Sequence, residues 1–178
     1  MRWIAVLAAT AAAAASAPLD AAATPPTGFH RVRALEPAAT YVARKPVRAW
    51  CTKTYLGWDA YMHRVMGDSP VPNGLATAGA DDLYVAPLEC DNLLFATRTA
   101  SVAAILPALA GPIETLTHEA IHLRGEADEA VTDCAAMRTM GAVAVRYFHV
   151  TRGAELKKLM TAAWAYHRSG RAVYTTIC

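Results

Sequence analysis

Between Thr117 and Met137 the chain reads THEAIHLRGEADEAVTDCAAM. His118, Glu119 and His122 stand at the spacing His-Glu-x-x-His, and Glu126, Asp128, Glu129, Asp133 and Cys134 follow. On an α-helix, residues four apart stack on one face, so the two imidazoles can offer nitrogens to one metal ion. Glu119 sits about 100° further round the helix. Its carboxylate therefore reaches a water beside the ion rather than the ion itself. Two ligands and one proton acceptor are what metal-assisted hydrolysis needs. With six His and seven Glu in 178 residues, chance supplies about 0.008 such matches, so the motif carries weight.

A catalytic zinc site takes three protein ligands and keeps one position for water or substrate. Glu126, Asp128, Glu129 and Asp133 are the candidates for the third ligand. The stretch Asp128-Glu129-Ala130-Val131-Thr132-Asp133 resembles the second zinc-binding segment of the gluzincins, the thermolysin-like metallopeptidases, which reads Asn-Glu-Ala-x-Ser-Asp. The resemblance implies that Glu129 is the third zinc ligand. It also implies that Asp133, four residues on, orients a zinc-bound histidine from behind. It covers only about 117–137. Glu129 follows His122 by seven residues, where thermolysin-like enzymes place a longer insertion, so this would be a minimal version of that site. A closer resemblance is to small secreted actinobacterial proteins carrying His-Glu-Ala-x-His-Leu-Arg-Gly-x-x-Asn/Asp-Glu-Ala. The spacing from His118 to Asp128 also fits a metzincin-like pattern, which makes Asp128 the alternative ligand, although no Met-turn signature follows. Tyr166, His167 and Tyr174 could donate a hydrogen bond to a developing oxyanion.

These groups must be held by helices. The spacing predicts a helix over 112–123, with Pro112 in its first turn. Ile113, Leu116, Ala120 and Leu123 would face the core, and Thr115, His118, Glu119 and His122 would form a separate face. Gly125 should end that helix. A third helix should start near 126–128, where acids suit a helix N-terminus, with Met137 and Met140 on the same face as Glu129. A last helix runs from Ala154 to about His167. Upstream, 24–50 reads as an extended N-terminal segment. Residues 52–66 read as a helix with Tyr55, Trp58, Met62 and Val65 toward the core. A loop is expected over 67–80, a short strand over 83–88, and a helix capped by Asp91 that reaches about Leu106.

The whole chain sets the remaining bounds. It is 54% hydrophobic and 18% charged, which excludes disorder. A net charge of +2 offers no basic stripe for nucleic acid. Arg2 and the apolar run after it read as a secretory signal peptide over 1–23, too short to span a bilayer. No stable membrane insertion is expected after cleavage. Cys51, Cys90, Cys134 and Cys178 form no Cys-x-x-Cys pair. Behind a signal peptide they suggest two disulfides, expected as Cys51–Cys90 and Cys134–Cys178.

The expectation is a secreted, mainly α protein with minor β (α+β). A single zincin-like domain over 51–178 would carry an active-site helix followed by a ligand-bearing helix. His118, His122 and Glu129 would hold Zn²⁺, Glu119 would act as general base, and peptides or proteins would be the substrates. The alternative is a non-catalytic zincin-like domain whose metal serves stability or partner binding. The oligomeric state is left open.

Overall fold

The structure is a computed structural model, described here for residues 26–170. Its elements in chain order are β1 (Phe29–Arg31), α1 (Glu36–Ala43), β2 (Arg48–Thr52), α2 (Tyr55–Met66), β3 (Gly74–Ala76), β4 (Asp82–Val85), α3 (Pro87–Arg98), α4 (Leu106–His122), α5 (Glu129–Tyr147) and α6 (Ala154–Gly170). The protein is thus mainly α with a small sheet. The signal-peptide reading over 1–23, Tyr174 and Cys178 lie outside the described residues. Among those residues, no helix is long and apolar enough to cross a membrane.

The sheet has the order β1-β2-β4-β3. β2 and β4 are parallel, while β1 and β3 run antiparallel to their neighbours. Alternation along the strands splits the apolar residues between two faces. Ala49, Cys51, Leu83 and Val85 join the large helical core. Trp50 turns the other way, with Phe29, Trp58, Met62 and Ala86, into a smaller aromatic core beneath α2. There the Phe29 ring meets Tyr61 and Tyr84 edge-on, with centroids 4.8 and 5.2 Å apart. Asp82 pins the start of β4 by accepting from Arg48 Nε at 2.7 Å, Arg48 Nη2 at 2.9 Å and Trp50 Nε1 at 2.7 Å.

Several expectations are corrected. The segment 24–50 is not simply extended: it holds β1, α1 and most of β2. Leu35, Ala38, Ala39 and Val42 lie in the same core as α4, so this segment is part of the domain. Small alanines let α1 pack closely, but they blunt the hydrophobic period that would reveal a helix. The loop over 67–80 contains β3, too short to read between turn residues. On α2 only Trp58 and Met62 are buried, whereas Tyr55 and Val65 are 49% and 52% exposed. A narrow stripe suffices because α2 covers only the aromatic face. α3 starts at Pro87, which occupies the first turn where its missing N–H costs nothing. Asp91 lies inside the helix, which ends at Arg98.

α4 starts at Leu106 rather than Pro112. Pro107 takes the first turn and Pro112 lies inside. The helix carries on through a residue that cannot donate to the turn before it, because Leu106, Leu109, Ala110 and Ile113 stay on one buried line. From Leu109 to His122 every residue is buried, as expected of a central helix. α1, α3, α5, α6 and the β3–β4 edge of the sheet all pack on it. The expected polar face therefore exists, with His118, Glu119 and His122 buried to within a few per cent of exposure.

Cys51 and Cys90 form a disulfide between β2 and α3, with Cα atoms 6.2 Å apart. Cys134 is also disulfide-bonded; its expected partner, Cys178, is outside the described residues. Replacing Cys51 and Cys90 by Ala should cost about 2–4 kcal/mol of stability. Urea melts of the double variant check this, and an unchanged midpoint would contradict it.

Candidate metal centre

Each ligand candidate is set by its own local structure. α4 ends at His122, and Gly125 turns the chain with φ of 101°, a left-handed value that glycine adopts without strain. The Gly125 N–H donates to the His122 carbonyl at 2.8 Å. Three residues after Gly125, Asp128 caps α5, its side chain accepting from Val131 N at 3.0 Å. Glu129 is then the first residue of α5 and faces back onto α4. Asp128, the alternative ligand, is engaged as the helix cap.

The two histidines are oriented from behind. His118 Nδ1 lies in ion-pair contact with Asp133 Oδ1 at 2.7 Å, and His122 Nδ1 donates to the Glu126 carbonyl at 2.7 Å. With both Nδ1 positions anchored, both Nε2 atoms are turned toward one point. They lie 3.0 Å apart. Glu129 Oε2 is 3.1 Å from His118 Nε2, and Glu129 Oε1 is 3.4 Å from His122 Nε2. Zinc bonds of about 2.0–2.1 Å in a tetrahedron separate donor atoms by roughly 3.3–3.4 Å. The two imidazoles and the Glu129 carboxylate therefore each offer a donor atom within 4.8 Å of the others, close enough to hold one metal ion.

The triangle opens on a cleft of about 590 Å³. Its floor is α4, with Glu114, His118, Glu119 and His122. One wall is the loop from Met66 to Asn73 together with β3, and the other is Tyr166 and His167 of α6. Trp58 Nε1 donates to the Pro72 carbonyl at 2.9 Å, tying the loop to α2. Asn73 Nδ2 donates to Tyr166 Oη at 2.9 Å, joining the two walls. The Tyr166 ring reaches that wall because Gly111 lacks a side chain: a Cβ there would stand 3.2 Å from Cζ. The structure thus brings Tyr166 and His167 to the cleft. Met137 and Met140 are buried in the core.

Sequence reasoning missed Glu114 and Gly74. Glu114 had a readable signal, since it lies four residues before His118 on the same helical face. Gly74 had none. A Cβ on Gly74 would meet Glu119 Cγ at 2.6 Å, Thr115 Cγ2 at 2.7 Å and Glu119 Oε1 at 2.8 Å. Only glycine lets the edge strand lie this close to the Glu119 carboxylate. Gly74→Ala should displace that carboxylate, and about 1 Å of misplacement can cost roughly 100-fold. If the centre is catalytic, turnover should fall tenfold or more at unchanged metal affinity; equal turnover would show that Glu119 tolerates the move.

Without a bound ion, burial works against a charge on His118. Asp133 and Glu129 outweigh it and push the pKa from 6.5 up to about 10, with Glu119 and Glu114 adding to the effect. A raised pKa means that protonated His118 stabilises the fold below pH 6.5 and that this is lost as pH rises through about 10. A metal ion bound by His118 must displace that proton, so its affinity should climb by up to about tenfold per pH unit across neutrality. Competition against a chelator at several pH values reads this directly, and a flat profile would contradict it.

Comparison with protein-family models, curated proteins and solved structures gives no match for this chain.

Proposed function

We propose that this chain is a zinc-dependent hydrolase, and within that class a metallopeptidase. One observation carries the reading: three donor groups close enough together to hold one ion, beside a carboxylate, at the floor of a cleft that reaches solvent. His118 Nε2, His122 Nε2 and a Glu129 oxygen would hold the ion. That donor set of two imidazoles and one carboxylate suits Zn²⁺. Zinc, when bound, supplies the positive charge that polarises a carbonyl and acidifies a water.

The chain's own residues supply the rest. Glu119 accepts the water's proton and returns it to the leaving nitrogen. The side chain of Glu129 is 45% exposed, so the ligand triangle faces outward. A purely structural ion is normally enclosed by four protein ligands, and among the described residues three donors converge here. β3 pairs with β4 on one side and borders the cleft on the other. An extended peptide laid along that edge could hydrogen-bond to the β3 backbone, with its scissile carbonyl facing the triangle. The signal-peptide reading adds that the enzyme acts outside the cell.

The test is incubation of the zinc-loaded protein with a peptide library in heavy-oxygen water. The expected products carry the label in their new C-terminal carboxylate. A chelator should stop their formation and added zinc should restore it. Absence of cleavage across the library would overturn the proposal.

A further inference from the structure

We propose that Glu114 is a positioning residue for the metal centre, forming with Asp133 a two-carboxylate brace behind His118. This rests on the reading of His118 as a metal ligand.

Glu114, His118 and His122 lie at successive four-residue steps on α4, so they stack along one face. The first of them is only 2% exposed. A Glu114 carboxylate oxygen, a His118 ring nitrogen and an Asp133 carboxylate oxygen all lie within 4.8 Å of one another, and all three residues are buried. Asp133 Oδ1 already lies 2.7 Å from His118 Nδ1. Glu114 thus brings a second buried carboxylate up to the same ring. It comes from α4 itself, whereas Asp133 comes from α5.

Burying a carboxylate costs several kcal/mol. Packing alone would place an apolar side chain at 114, between Ile113 and Leu116 on a helix enclosed from Leu109 onward. The cost is offset if the charge supports an imidazole that donates to a dication. Carboxylates behind a ligating histidine fix its ring and raise its donor strength. The ring of His118 would then be held from both helices that supply the ligands, so a relative shift of α4 and α5 would not release it.

The experiment is a double-mutant cycle on zinc affinity, read by chelator competition, with Glu114→Gln, Asp133→Asn and their combination. The visible spectrum of the cobalt-substituted protein serves as a second readout. Glu114→Gln keeps the shape and removes the charge. It should weaken zinc binding on the order of 10-fold and shift the cobalt bands, at near-normal thermal stability. Because both carboxylates act on one ring, the combined loss should be smaller than the product of the single losses. Wild-type zinc affinity in Glu114→Gln, or losses that multiply, would overturn the proposal. So would a second equivalent of zinc in the wild type that disappears in Glu114→Gln, since the three groups would then belong to a second ion.

If Glu114→Gln does not fold, Glu114→Leu decides, because it satisfies the buried position without charge. Weakened zinc binding in a folded Glu114→Leu protein supports the brace. Unchanged binding overturns it, as does failure of both variants to fold. A wild type that binds no zinc defeats the metal reading as a whole. A wild type that binds zinc as tightly as Glu114→Gln defeats only this inference.

Discussion

Glu119→Gln is expected to remove nearly all turnover while leaving the metal and the fold in place. The amide is close to isosteric with the carboxylate. It can fill the same space against Gly74 and Thr115, where the carboxylate now packs. Glu119 is not one of the three donors that converge on the ion, so zinc affinity should stay near the wild-type value. What disappears is the ability to accept a proton from water and return it to the leaving nitrogen. General-base contributions run to about 100- to 10,000-fold, and kcat should fall by that factor with little change in melting temperature. Steady-state kinetics on any cleaved peptide, with the zinc content measured on the same sample, checks it. Zinc-dependent cleavage at the wild-type rate would remove Glu119 from the mechanism.

Glu129→Ala should produce the largest loss of metal affinity among the acidic residues of this region. Structural zinc sites gain about 10–16 kcal/mol from binding. Shared over three or four ligands, that is roughly 2.5–5 kcal/mol each, or about a 70- to 5,000-fold loss of affinity. Asp133→Ala should cost an intermediate amount, on the order of 10- to 100-fold, because it acts through His118 Nδ1. Asp128→Ala removes a helix cap, whose loss costs about 1 kcal/mol of stability, and should leave zinc affinity nearly unchanged. Chelator competition on the three variants gives the ranking. If Asp128→Ala proved the most damaging, the ligand set would have to be rebuilt around Asp128.

The placing of the candidate ligands side by side is legible because it depends on short-range rules. A four-residue step puts His118 and His122 on one face, Gly125 permits the turn, and Asp128 caps the helix that presents Glu129. Each follows from neighbours within a few residues. The surroundings of the site were less legible because they depend on contacts distant in sequence. Gly74 is constrained by Glu119, 45 residues later in the chain, and nothing near Gly74 signals it. β3 is three residues long and acquires meaning only by pairing with β4. Tyr166 reaches the cleft because α6 packs at Gly111. α1 escaped notice because Ala38, Ala39 and Ala43 bury little area each, although together with Leu35 and Val42 they fill one side of the core. The start of α4 is ambiguous in the sequence because Pro107 and Pro112 both fit a first turn, and only packing on the core selects Pro107.

Zinc titration into the metal-free protein, with cleavage of a mixed fluorogenic peptide library as the readout, tests the central claim most directly. Activity should rise linearly with added zinc and break sharply at one equivalent, tying turnover to a single ion held by His118, His122 and Glu129. Binding of one equivalent with no cleavage at any zinc level would contradict the account and make the centre a structural one.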